Sequence, residues 1–457
     1  MHLLALFLLL SAAPVARADE SSTALPTLMR RSHQLGVFNG VALVWRKGQV
    51  VQEMALGAVD GAGTRALTPD DRFNLGSIGK EFSAVAIMRL RDQGKLAVDD
   101  KIARFLPDLP AWGATVSIRN LLEYTSGLPD INWRTVKNDA GVRADLLRVA
   151  APAFEPGTKF AYTYSNVILR QFIVEGVTGL PFREYVGREL YAPCGMSASV
   201  VDPGPGVARV AHAFNDDLED DPVELPVSGI PFVTARDLLK WNQCLHGGKL
   251  IAAESLRLLG HSFQPHNGGL GETRWDGQRL VWHKHDGQSR NFEAWMQSDL
   301  DRDVTIILLG NHKAQKLEDI AAAIAAILDG RPYRQPKRSV ARYFQKQLDA
   351  LPIGDFIALY GDTELTRAAE LDFDRESGLN EMAYSLMARG RLTDAIQLFE
   401  LNARRFPTSG NVHDSLGEAY LAGGDKARAL ASYRRALALD PSNENAADVV
   451  RRLERER

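Results

Sequence analysis

Strand-like stretches at both ends of a long helical block constrain this chain most. Residues 39–58, NGVALVWRKGQVVQEMALGA, read as two strands around a Lys47-Gly48 turn. Strand patterns return over 279–311 in RLVWHKH, NFEAWMQSD and DVTIILLGN, the last two separated by the turn DLDRD. From about 83 to 260 the pattern is mostly helical with loops, as in IRNLLEYTSG and ARDLLKWNQCLHGG, and a helix over 314–328 closes the region. The economical solution joins the terminal strands into one antiparallel sheet. The central helices then form a subdomain beside it, with a cleft at the junction, where ligand sites are common. At 457 residues, 45% of them hydrophobic, the chain can fill two or three domain cores.

The N-terminus reads as an export signal. LLALFLLLSAAPVA is too short to span a bilayer comfortably, and Ala16-Arg17-Ala18 gives a small-x-small cleavage pattern before Asp19. A signal peptide over 1–18 predicts a periplasmic or secreted protein. No later segment reaches membrane-spanning length, and IAAAIAAIL at 320–328 reads as a packed helix. The net charge of -3, with no basic block, gives nothing that points to nucleic acid, and none is expected as a partner. The only cysteines, Cys194 and Cys244, sit in apolar company in YAPCGM and LLKWNQCL, which predicts two buried free thiols, with a single bridge as the alternative. The acidic run NDDLEDD at 215–221 reads as a solvated loop rather than a calcium site.

After residue 330 the texture changes. GRPYRQPKRS is a polar, proline-containing exit linker. Residues 382–407 then align with 416–441 at a period of 34 residues, pairing Met382 with Leu416, Ala395 with Ala429, Phe399 with Tyr433 and Pro407 with Pro441. That period and pattern resemble tetratricopeptide repeats, which implies two helices per unit and a protein partner. Gly417 and Ala429 are small where paired helices approach closely. Two repeats bury little core by themselves, so the stretch 338–371 and ENAADVVRRLE are expected to support and cap them. The boundaries read as a linker and helical region over 333–375 and repeats over 376–457.

Three short elements carry chemistry. Ser77 and Lys80 stand three apart at a helix start, where i and i+3 share a face and the helix dipole favours a developing anion. A desolvated lysine there can act as a base for a serine nucleophile; alone, the pair reads as a helix cap and a solvated charge. Tyr164-Ser165-Asn166 places a phenol for proton transfer and an amide for a substrate carbonyl or Lys80, or else starts a helix. His285-Asp286-Gly287 ends a strand, where the glycine lets a substrate backbone approach the edge. His283 and His285 share a strand face, which raises a metal-site reading, although no third ligand is evident.

Taken in order, the S-x-x-K, Y-x-N and H-x-G elements resemble the serine β-lactamase and penicillin-binding-protein family, in particular its class C-like branch of DD-peptidases, esterases and β-lactamases. Further blocks carry the resemblance over about 26–330. FNLGSIGKEFSAVAIMRLRDQGKLAVDDKIARFLPD is similar to the family's nucleophile helix, SIRNLLEYTSGLPD to its LLxHTSGL block, YAPCGM to PLGM, and GIPFVTARDLLKW to GGxxxTAxDLxxW. The resemblance implies an α/β (α+β sandwich) catalytic domain over 24–332, an antiparallel sheet flanked by helices plus a helical subdomain.

It further implies Ser77 as acylated nucleophile, Lys80 as its activator and Tyr164 as proton shuttle. Asn166 and His285 would contact substrate beside Gly287, and the backbone N–H groups of Ser77 and Gln288 would form the oxyanion hole. It implies no cofactor and no metal, and an ester or amide substrate such as a peptidoglycan-type peptide, a small ester or a β-lactam. Whether Lys80 or Tyr164 is the base stays open. Three positions depart from the pattern: Tyr124 stands where the family has histidine, a position read as mainly structural, and Gln288 and Asn291 replace glycines. The competing readings are a repeat-based interaction protein on a weakly catalytic fold, and a metal-dependent hydrolase using His283 and His285.

Overall fold

The computed structural model describes residues 21–456 apart from 222–226, 261–268 and 315. The export signal expected over 1–18 lies outside the described residues. By internal contacts the chain divides into two compact units, one holding residues 38–335 and the first helix up to His33, the other residues 336–457.

In the first unit, strands β1 (Gly40–Arg46) and β2 (Gln49–Leu56) form the expected hairpin, with Lys47 and Gly48 at φ 48° and 83°. Three short strands, β3 (Phe73–Asn74), β4 (Val200–Val201) and β5 (Pro231–Val233), make a small separate sheet in the order β3-β5-β4. Strands β6 (Glu272–Asp276), β7 (Arg279–Ser289), β8 (Phe292–Asp299) and β9 (Val304–Gly310) complete a six-stranded antiparallel sheet in the order β2-β1-β9-β8-β7-β6. The last strand therefore pairs with the first, Gly40 facing Gly310 and Arg46 facing Val304.

Both faces of the central strands β1, β8 and β9 are buried, and the period-two alternation of strand side chains sorts them. Ala42, Val44, Ile306 and Leu308 pack against helices α1 (Ser21–Gln34) and, near the end of the unit, Leu317–Leu328, through Leu25, Leu28, Ile320 and Ile324. Val41, Leu43, Ile307 and Leu309 face the larger core. That core contains helices α2 (Lys80–Asp92), α3 (Tyr164–Thr178) and α4 (Ala235–His246), with Phe82 against Trp241 at its centre. Continuing in chain order, Leu317–Leu328 is α5. Layers of this kind give each amphipathic element a surface to bury against.

The cysteines differ from expectation: Cys194 and Cys244 form a disulfide, their Cα atoms 5.5 Å apart. Cys244 lies on α4, and Cys194 ends a short helical turn. Apolar sequence context suits a bridge as well as two thiols: Cys244 is buried and Cys194 half-buried against the same core. The bridge spans a sequence separation of 50 residues, which predicts a stability contribution of about 2–4 kcal/mol to this unit. Denaturant unfolding with and without reductant checks this, and coincident curves would contradict it.

The second unit is all helical: α6 (Val340–Ala350), α7 (Ile353–Arg367), α8 (Glu376–Ala388), α9 (Leu392–Arg405), α10 (Gly410–Ala422), α11 (Lys426–Leu439) and α12 (Glu444–Arg455). The helix starts at 376, 410 and 444 keep the period of the repeat. One core runs from Phe344 and Tyr360 through Leu386 and Phe399 to Tyr433 and Val450, so the segment expected as linker contributes two helices to it. At Gly417 a Cβ would stand 2.9 Å from the Tyr433 ring, the close approach inferred from its size.

Candidate active site

Ser77 lies on a 3-10 turn, Gly76–Gly79, that connects β3 to α2. The Gly76 N–H donates to Asn74 Oδ1 at 2.8 Å, and buried Ile78 anchors the turn. Gly76 has φ 53°, and a Cβ there would stand 2.4 Å from the Gln288 backbone nitrogen. Lys80 is the first residue of α2, and its Nζ donates to Ser77 Oγ at 2.7 Å. Burial pushes the Lys80 ammonium below the usual lysine range. Arg170 pushes the same way, against Tyr124, Asp130 and Asp286.

A tyrosine also meets Ser77, and it is Tyr162. Its phenol lies beside the Ser77 and Tyr124 hydroxyls, which work against the rise that burial imposes on it. Its ring lies 5.0 Å from Lys80 Nζ and 4.7 Å from the Tyr124 ring. Tyr164 and Asn166, singled out from sequence, sit differently. The Tyr164 ring packs against Trp133, centroids 5.2 Å apart, its N–H donates to Asp130 Oδ1 at 2.7 Å, and burial pushes its phenol far up. Asn166 is fully buried, and its Nδ2 donates to Thr163 Oγ1 at 2.8 Å.

The cause is where the helix begins. Thr163 is extended and α3 starts at Tyr164, so Asn166 turns back on the residue preceding the helix instead of facing Lys80. Tyr162 precedes the helix and reaches the serine. The sequence signal for Tyr162 is only a second tyrosine two residues upstream of the motif.

Strand β7 supplies the opposite wall. Strand β6 pairs with it only as far as Lys284, so His285–Ser289 have β8 on one side and the nucleophile turn on the other. Gly287 makes that contact possible: a Cβ there would stand 2.0 Å from Leu75 O and 2.9 Å from Ser77 N. The backbones of 75–77 and 287–288 are thus pressed together, with the Ser77 and Gln288 amides at their meeting point.

His285 is buried, and its Nδ1 pairs with Glu81 Oε1 at 2.7 Å. His283 Nε2 lies 3.2 Å from the same oxygen and 2.7 Å from Leu270 O, while Trp241 Nε1 donates to Glu81 Oε2 at 3.0 Å. Against the cost of burying it, these partners hold the Glu81 carboxyl far below the usual carboxylate range. His246 contacts His283 Nδ1 at 3.0 Å, and burial pushes it down to about 3. The two strand histidines therefore organise around a carboxylate on the nucleophile helix. Among the described residues no group of three or more His, Cys, Asp or Glu side chains could hold a metal ion.

A cleft of about 950 Å³ opens beside Lys80. Trp133, Tyr164, Val207, Ile230 and Phe292 give it a largely apolar wall, and Gln288 lines it on the β7 side.

The sequence model of the Beta-lactamase family matches residues 26–329, and that of the tetratricopeptide repeat matches residues 410–443. Penicillin-binding protein 4* of Bacillus subtilis is 26% identical over 442 residues, covering 86% of this chain and 94% of its own length. Esterase EstB of Burkholderia gladioli is 31% identical over 179 residues, 34% of this chain and 45% of its own. Among solved structures, a class C beta-lactamase superposes with a TM-score of 0.59 at 21% identity, covering 70% of this chain and 99% of that one.

Proposed function

We propose that this chain, which belongs to the beta-lactamase family, is an exported serine hydrolase that works through an acyl-enzyme on Ser77. The observation that carries the reading is the 2.7 Å contact from Lys80 Nζ to Ser77 Oγ, with the Tyr162 phenol beside the same serine. A hydroxyl is a weak nucleophile near neutral pH and needs a base; the tetrahedral intermediate needs donors for its oxyanion; the leaving group needs a proton.

In this reading the Ser77 oxygen attacks the substrate carbonyl while its proton passes to the Lys80–Tyr162 pair. The backbone N–H groups of Ser77 and Gln288 receive the oxyanion. The carbon–nitrogen or carbon–oxygen bond breaks, and the held proton goes to the departing amine or alcohol. Water then attacks the ester on Ser77, the same pair takes its proton and returns it to the Ser77 oxygen as the acyl–oxygen bond breaks, and the acid product leaves. His285, tied to Glu81, and Gly287 shape the strand edge where substrate lies. Replacing Gly287 by alanine drives a methyl into the nucleophile turn and should cut acylation about 10²–10³-fold by displacing an oxyanion donor. Progress curves with an activated ester check this.

The substrate is an amide or ester of the kind handled by DD-peptidases and esterases, with β-lactams as a further class. Support comes from relatives named penicillin-binding protein, D-alanyl-D-alanine carboxypeptidase, D-aminopeptidase and esterase. The Cys194–Cys244 disulfide supports an oxidising compartment such as the periplasm or cell exterior. The repeats support a protein partner. Steady-state assays with nitrophenyl esters, D-Ala-D-Ala peptides and a cephalosporin test the reading. Turnover of at least one class is expected, and inertness toward all three would count against a hydrolase.

A further inference from the structure

Arg170 lies within α3 and is 0% exposed. Its Nη2 donates to the Tyr124 hydroxyl at 3.3 Å, and its guanidinium carbon stands 5.4 Å from the Tyr124 ring centre. Its Nε and Nη1 are buried without a hydrogen-bond partner among the described residues, and no carboxylate pairs with it there. An uncompensated buried cation is destabilising, and an apolar side chain of similar volume would pack the same space better. Packing alone therefore gives no reason for an arginine here.

Its surroundings supply one. The Tyr124 ring packs on the Tyr162 ring, centroids 4.7 Å apart, and the Tyr162 phenol in turn lies beside Ser77. A continuous chain thus runs Arg170–Tyr124–Tyr162–Ser77–Lys80. Tyr124 is the position that the sequence pattern had suggested to be structural.

We propose that Arg170 is a positioning residue of this site: through Tyr124 it holds a second hydroxyl donor on Tyr162, and its charge disfavours another cation at Lys80. The inference rests on the proposed acylation of Ser77. The groups facing Lys80 are Tyr124, Arg170, Asp130 and Asp286; those facing Tyr162 are Ser77, Tyr124, Arg170 and Asp286. Both carboxylates favour a proton on the pair, and Arg170 is the cation opposing them. Protonated Lys80 with neutral Tyr162 cannot take the serine proton, so Arg170 extends the active state to lower pH.

The test is the rate of Ser77 labelling by a fluorophosphonate probe across about pH 5–10, using the full chain. In Arg170→Met the acid limb should move up by about one pH unit or more, so labelling on that limb falls about tenfold while rates converge at high pH. Arg170→Lys should keep the limb near that of the parent. A folded Arg170→Met protein with an unmoved limb, or with one uniform loss at every pH, would overturn the inference while leaving Ser77 acylation standing. A lysine variant displaced as far as the methionine variant would also overturn it. Should Arg170→Met fail to fold, Arg170→Gln decides, and an unmoved limb there overturns it. Absence of labelling in the parent protein removes the proposed function and this inference together.

Discussion

Replacing Ser77 by alanine should remove turnover of every ester or amide substrate, by about 10⁴-fold or more, with the fold intact. The chemistry concentrates on one oxygen: Lys80 Nζ donates to it, and Tyr162 contacts it. Among the described residues no other hydroxyl has that pair of partners. The structural cost is small, because neither the 3-10 turn nor α2 is capped by the Ser77 side chain. The turn is held instead by buried Ile78 and by the Asn74–Gly76 hydrogen bond. A surface-type stability change of about 0.5 kcal/mol is expected. Parallel measurement of thermal unfolding and of hydrolysis separates the two effects, and retained turnover would contradict the assignment.

The second large effect distinguishes two tyrosines. Tyr162→Phe should lower acylation about 10²–10³-fold, within the usual range for a positioned proton-transfer group. Tyr164→Phe should stay within a few-fold of the parent, since its ring packs on Trp133 and its backbone, not its hydroxyl, holds Asp130. Both variants keep the ring and its packing. Rates of probe labelling at one pH rank them, and the reverse order would return the proton-transfer role to Tyr164. Where Tyr164→Phe changes the choice among ester substrates instead, the cleft wall is the cause, because Tyr164 lines it.

Much of this was legible in the sequence because periodicity reports on burial. The strands at 39–58 and 279–311 did close into one sheet, since β1 and β9 carry apolar side chains on both faces and can be buried only between helices. Ser77 and Lys80 were readable because their meeting is local, set by i,i+3 geometry. The 34-residue repeat was readable because each unit must present the same small and aromatic residues to its neighbour.

What was not legible depends on boundaries and on distant partners. Tyr164 and Asn166 match a motif by spacing, yet the onset of α3 at residue 164 decides which tyrosine faces the serine, and onsets are weakly encoded. The Cys194–Cys244 bridge joins residues whose apolar flanks look the same whether bonded or free. The Glu81 cluster unites α2, α4 and β7, so no single segment announces it. Arg170 sits in an apolar helical run where its charge reads as an interruption, and only Tyr124, distant in sequence, gives it context.

The central claim is that Ser77 forms the acyl-enzyme. Intact mass measurement after exposure to a fluorophosphonate, followed by peptide mapping, tests it most directly. One adduct per chain on Ser77, absent from Ser77→Ala, is the predicted result. An adduct on any other residue, or undiminished labelling of Ser77→Ala, would contradict it.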